Sequence, residues 1–350
     1  MNHSTLLKSH YPWTSTPLIA AAPMRLIATT ALAVSVSQSG GLGFLGIGTD
    51  SSVLAGLLSS CTSSLSQAPP IPNVPQGILP IGIGFIVWGA SLSEAVEAVE
   101  ASPLKPAAIW LFAARQLSEL EEWTTALRQA SAGKSKIWIQ VGTVAMATEI
   151  AAACSPDVLV IQGSDAGGHG LAQSSSIISL LPECADELSR QGFGDIPLIA
   201  TGGIMDARGV AAALVLGASG ATLGTRFLAS PEAEIRDGYR AAVIKAGDGG
   251  VSTARTSVYD VLRGTTGWPR EYNARGVLNR SYWDHGAGMD AVENKKLYER
   301  ALETGDEGWG EMGRLATYAG TGVGLAKEIM PAGEIVREIL KDLRRIQLVF

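Results

Sequence analysis

The sequence predicts an α/β fold: a (β/α)8 TIM barrel followed by a smaller C-terminal helical cap segment. Three observations carry that prediction. Eight short apolar runs recur at intervals of about 20–40 residues, with helical patterns between them. Several runs are apolar at every position, as strands covered on both faces require. Glycine clusters close the last three runs, where a barrel builds its active site. The structural alternative is a doubly wound open sheet. That fold needs a glycine-rich dinucleotide turn after its first strand, and Ala22-Pro23-Met24-Arg25 is not one.

The runs in order are Leu18–Met24, Gly43–Ile47 (after Gly40-Gly41), Ile81–Trp88, Ala107–Phe112, Ile137–Val141, Val158–Ile161, Pro197–Thr201 and Ala221–Gly224. Between them, Ser93–Ala101 sets Ala95, Val96 and Val99 against Glu94, Glu97 and Glu100, an amphipathic helix. Gln116–Ala130 and Thr143–Cys154 follow the same rule. Asp206–Gly217 opens on an N-capping Asp and closes on Gly. The barrel is expected over residues 18–249, after an N-terminal tail over residues 1–17. Ser59–Gln76, rich in Ser and Pro, reads as a surface loop or a broken helix. Residues 250–330 are rich in Trp and Tyr and lack strand periodicity, so they read as a helical cap over the substrate. Residues 331–350 supply a final helix packing back on the barrel. Its apolar side is Ile335, Val336, Ile339, Leu340 and Leu343, and Lys341, Arg344 and Arg345 sit near its C-terminus, favourable to its dipole.

Composition narrows the class. The 350 residues include 41 Gly, and only 17% are charged. Hydrophobic residues make up 46%, which excludes a disordered chain. The net charge of −6 argues against a nucleic-acid partner. Cys61, Cys154 and Cys184 are too widely spaced for a disulfide framework or a zinc site, and read as buried thiols in a reducing compartment. No run approaches the roughly 18 apolar residues of a membrane span. Neither terminus reads as a signal peptide or a retention signal, so a cytoplasmic location is expected.

The chemistry is expected at the three glycine clusters. Thr201-Gly202-Gly203-Ile204 and Leu223-Gly224-Thr225-Arg226 stand where barrels commonly hold a phosphate. Gly202, Gly203, Gly224 and Thr225 therefore read as a cradle for one phosphate, as on FMN or a sugar phosphate. The competing reading is tight strand-to-helix packing. The third cluster runs from Gln162 to Gly170 and contains His169, flanked by glycines rather than by an apolar helix face. Imidazole titrates near neutrality and suits proton abstraction from a weak carbon acid. A satisfied core histidine is the alternative. Asp165 either orients this loop, caps the next helix or binds the imidazole. No GxSxG elbow and no Walker A loop occurs.

These residues resemble the nitronate monooxygenases, formerly 2-nitropropane dioxygenases, over nearly the whole chain. The resemblance lies in Ala22-Pro23-Met24, Gly40-Gly41-Leu42-Gly43-Phe44-Leu45-Gly46, Gln140-Val141-Gly142, Ala166-Gly167-Gly168-His169, Thr201-Gly202-Gly203-Ile204 and Leu223-Gly224-Thr225-Arg226-Phe227. Trp268-Pro269, Arg275, Asn279 and Ala319-Gly320-Thr321-Gly322 extend it. It implies an FMN-dependent barrel that oxidises alkyl nitronates with O2 to a carbonyl compound and nitrite. His169 would be the base that takes the α-proton of a neutral nitroalkane. Ala22, Pro23 and Met24 would line the flavin ring, and Gln140 would reach the ribityl chain or the ring edge. Gly163, Gly167 and Gly168 would approach the flavin, and Gly202, Gly203, Gly224 and Thr225 would hold its phosphate.

Three positions depart from the family pattern. Gly84 stands where the family has an Asn against FMN, so that side-chain contact is missing or replaced. Asp165 stands where the family has Glu. Arg25 replaces a small residue, and would either place positive charge near the flavin or an anionic substrate or form a solvent-facing salt bridge. Competing readings are an FMN-dependent NAD(P)H:quinone or enoyl-thioester reductase of the same superfamily, a non-flavin phosphate-binding barrel enzyme, and a flavin-binding protein without turnover. No strand-end Lys suits a Schiff base, which disfavours an aldolase.

Overall fold

The computed structural model describes residues 3–346. Eight parallel strands form a ring: β1 (Leu18–Ala21), β2 (Phe44–Gly48), β3 (Ile78–Ile86), β4 (Lys105–Phe112), β5 (Lys136–Val141), β6 (Val158–Gln162), β8 (Leu198–Thr201) and β9 (Gly220–Leu223). Their order is β1-β9-β8-β6-β5-β4-β3-β2, and a parallel bridge from Ala20 to Leu42 joins the two ends. Each of the eight apolar runs overlaps one barrel strand, and β3 begins three residues before its run. The first run is cut short at Ala21. The N–H of Ala22 still donates to Leu223 O at 2.9 Å, and Pro23 then has no N–H to continue the ladder.

Alternation along the strands divides the core in two. Ile137, Ile139 and Val141 point outward into the helix layer, as do Ile109 and Leu111. Trp138, Trp110, Phe44, Val160 and Ile199 point inward and pack together. The helices lie where their patterns place them, over Leu92–Ala101, Leu117–Ala130, Val144–Cys154 and Ala207–Val215. Side-chain oxygens of Ser91, Thr143 and Asp206 accept from the backbone N–H groups that open three of these helices.

Several expectations are corrected. The tail over residues 1–17 is, in its described part, a helix over His3–His10 followed by buried Tyr11 and Trp13. Leu7, Tyr11 and Trp13 pack on the inward residues of the barrel floor, and Trp138 Nε1 donates to Tyr11 Oη at 2.7 Å. The segment Ser59–Gln76 is helical as far as Ser66, within Leu54–Ser66. Leu54, Leu58 and Cys61 form a buried stripe through its serines, and Pro69-Pro70 follows the helix end. The final helix spans Ala332–Leu343, with Ile335, Val336 and Ile339 buried. Residues 347–350 of that expectation, with Met1 and Asn2 of the tail, lie outside the described residues.

The cap segment is not helical alone. It contributes β10 (Thr253–Thr256) and β11 (Tyr272–Val277), which pair antiparallel in the order β10-β11-β7 with a strand inside the histidine cluster, β7 (Gly168–Leu171). Burial along β11 alternates, but its buried positions are Tyr272, Ala274 and Gly276, too mixed to show as strand periodicity. Among the described residues no helix is long and apolar enough to cross a membrane.

Candidate active site at the barrel mouth

Toward the C-terminal ends of the strands the inward positions become small or polar. Phe44 gives way to Gly46 and Gly48, Trp138 to Gln140, Val160 to Gln162, and Ile199 to Thr201. A cavity of about 430 Å³ opens above them, within the range that takes cofactors and small substrates.

Nearly all the residues singled out from sequence meet in this cavity. Ala22, Pro23 and Met24 line one side with Gly84, and Gln140 lies across the barrel. Gly202, Gly203, Gly224 and Thr225 line another side, and Gly167, Gly168 and His169 form part of its edge. Gly163 does not. Its N–H donates to Thr201 O at 2.9 Å, and a Cβ there would lie 2.7 Å from Ile177 N. Gly163 is therefore a packing glycine behind the cavity, which corrects its expected approach to the flavin.

The alternative of tight packing accounts for some glycines and not others. Gly202 has φ +107°, and a Cβ there would lie 2.9 Å from Gly163 O. At Gly224 an added Cβ would meet only Ala22 and Met24, at ordinary distances of 3.7 and 3.8 Å. Nothing in the protein demands glycine at 224, and the space beside it belongs to the cavity. Gly84 is explained differently. A Cβ there would sit 2.3 Å from Pro23 Cβ, so the Asn of the family pattern is excluded by the proline ring beside it.

Two polar groups on the wall lack partners. Gln140 Oε1 accepts from Trp110 Nε1 at 3.0 Å, and its amide nitrogen has no partner among the described residues. Thr222 Oγ1 is buried and unpartnered. Arg25 also lines the cavity and forms no salt bridge among the described residues, which corrects the solvent-facing ion pair considered for it.

His169 is held on every side. Its backbone pairs with Ala274 of β11, and its carbonyl accepts from Gln162 Nε2 at 3.1 Å. Its imidazole lies parallel to Trp268, 3.7 Å between ring centroids and 7° between planes. Its Nε2 lies 2.9 Å from Asp260 Oδ1, with both side chains mostly buried. The same Oδ1 accepts from Thr265 Oγ1 at 3.0 Å and from Tyr318 Oη at 3.3 Å. The ring packs between aromatic side chains, yet it borders the cavity and bonds the Asp260 carboxylate, which a simple apolar packing site would not provide.

The loop before His169 is fastened by the cap segment. Arg255 donates to the carbonyls of Ala166 (3.1 Å) and Asn273 (3.1 Å), and Arg275 to that of Ser164 (3.2 Å). Burial, then the nearby Arg275 charge, pushes Arg255 down to about 10. Asp165 does not bind the imidazole. Its Oδ1 accepts from Thr321 Oγ1 at 2.8 Å, tying the loop to the segment before the last helix. Gly167 packs on Ala319 and Gly320, whose atoms an added Cβ would meet at 2.4 Å.

The barrel and this mouth define a (β/α)8 barrel protein with a His169–Asp260 pair at the edge of a mainly apolar cavity. A family model described as nitronate monooxygenase matches residues 122–342. The chain is 46% identical over 343 residues to nitronate monooxygenase npaC of Metarhizium robertsii, covering 97% of this chain and 94% of that one. It is 38% identical over 356 residues to a nitronate monooxygenase of Neurospora crassa, covering 97% and 92%. The fold is shared with FabK from Thermotoga maritima (TM-score 0.72, 22% identity, 97% and 96% covered). It is also shared with a nitroalkane oxidase from Streptomyces ansochromogenes (TM-score 0.69, 23% identity, 97% and 98% covered). The chain belongs to the nitronate monooxygenase family of flavin-dependent oxidoreductases.

Sequence reasoning missed Asp260, Thr265 and Tyr318 as site residues. Asp260 is 91 residues from His169, on a short helix among Val258, Tyr259 and Leu262. Its one signal was a carboxylate within an otherwise apolar turn.

Proposed function

We propose that this protein oxidises alkyl nitronates with FMN and O2 to a carbonyl compound and nitrite, and accepts neutral nitroalkanes through deprotonation by His169. The observation that carries the reading is the His169–Asp260 pair at the edge of a cavity walled by Met24, Phe112, Trp268 and Tyr318.

The residues present fit a bound FMN. The Gln140 amide nitrogen, without a partner among the described residues, is a group that a polar cofactor would satisfy. Gly202 and Gly203, with Gly224 and Thr225, would cradle the phosphate, Gly224 leaving space that no protein atom fills. Ala22, Pro23 and Met24 would support the ring. FMN, when bound, supplies the electron-accepting chemistry and the reaction with O2.

The chain's own residues supply the rest. His169 would take the α-proton of a nitroalkane, leaving the electron pair on the nitronate. Asp260 would stabilise the resulting imidazolium. The apolar walls would keep water from the acidic C–H. Arg25 would favour an anionic substrate at the mouth.

The test is the visible spectrum of the purified protein, followed by nitrite release from ethyl nitronate. A flavin spectrum with nitrite release is expected. A protein that gains no flavin absorbance on adding FMN would overturn the reading. So would rapid anaerobic bleaching by NADPH without turnover of the nitronate.

A further inference from the structure

A histidine base can act through either ring nitrogen. We infer that Asp260 is a positioning residue that fixes His169 as the Nε2–H tautomer, so that Nδ1 is the atom that takes the substrate proton. This inference rests on His169 being the base.

An ionised carboxylate only accepts hydrogen bonds. Asp260 Oδ1 sits 2.9 Å from His169 Nε2, so that nitrogen carries the hydrogen. Neutral imidazole has a single N–H, and the lone pair is then on Nδ1. Nδ1 has no partner among the described residues and is not among the buried unpartnered atoms, so it keeps accessible surface. His169 itself borders the cavity.

The carboxylate is fixed as an acceptor. Thr265 and Tyr318 both donate to the oxygen that meets Nε2. Trp268 fixes the plane of the imidazole but cannot choose its edge, because a half-turn of the ring preserves the stack. Asp260 makes that choice. When the substrate C–H breaks, the electron pair stays on the nitronate and the proton goes to Nδ1. The imidazolium then carries N–H on both sides, with Nε2–H on the Asp260 carboxylate, and Trp268 presents its face to the new cation.

The experiment is nitrogen-15 NMR of the histidine rings in the flavin-loaded protein, with the His169 signals assigned as those lost in H169N. In the neutral ring, a protonated Nε2 and an unprotonated Nδ1 are expected. In Asp260→Asn the preference weakens, and kcat on nitroethane falls roughly 10²-fold or more, the scale of lost acid–base catalysis. The loss on ethyl nitronate is at least tenfold smaller. An Nδ1–H tautomer in the wild type would overturn the inference. An unchanged tautomer in Asp260→Asn with equal losses on both substrates would overturn it too. Thr265→Val, which leaves both Asp260 and His169 in place, should shift the same signals and the same substrate ratio in the same direction, by less. Equal losses on both substrates in H169N would instead fail the base role itself, whatever the tautomer.

Discussion

The floor and the mouth of the barrel are made from the same inward-facing positions of the same strands, one filled and the other hollow. At the floor, Phe44 and Trp138 lie 5.2 Å apart between ring centroids, and Trp110 stacks on Trp138 at 5.7 Å. Tyr11 and Trp13 close that end from below. Two residues further along β5 and β8, Gln140 and Thr201 replace the bulk, and Gly84 lies beside Trp110 on the neighbouring strand. The hollow end is set by side-chain size as much as by the positive-φ glycines at its rim. It follows from where along each strand the large side chains stop. Stability should therefore reside at the floor and binding at the mouth.

Substitutions at the two ends test that division. The largest effect is expected at the floor. Trp138→Ala should lower unfolding free energy by about 3–5 kcal/mol in denaturant titration, with flavin affinity nearly retained in the folded fraction. Loss of flavin without loss of stability would break the comparison. Gly84→Asn is expected next, at about 1–3 kcal/mol, because its Cβ collides with Pro23. It should also weaken flavin retention, since Pro23 is part of the cavity wall. The smallest change in stability is expected at Gly224→Ala, within about 0.5 kcal/mol. The new methyl meets only ordinary contacts in the protein, so its effect should be on flavin binding, read by fluorescence titration.

Much of this division was legible in the sequence, and the reasons are physical. Barrel strands buried on both faces give continuous apolar runs, so all eight were visible. The glycine clusters at strand ends are local, and all of their singled-out residues but Gly163 and Asp165 reach the cavity. The small sheet of β7, β10 and β11 was not legible, because short strands with Gly, Ala and Arg carry no clear alternation. Asp260 was not legible for another reason. Its pairing with His169 depends on the cap segment folding back over the mouth, a contact between distant parts of the chain. Gly84 showed in the sequence as a missing side chain, and only the neighbouring Pro23 ring explains it.

The proposed function stands on a base for a carbon acid at the mouth. The most direct measurement compares nitrite release by wild type and His169→Asn from neutral nitroethane and from preformed ethyl nitronate. A proton already removed needs no base, so the loss on nitroethane should be on the order of 10²–10⁴-fold and should far exceed the loss on the nitronate. Equal losses on the two substrates would contradict the account.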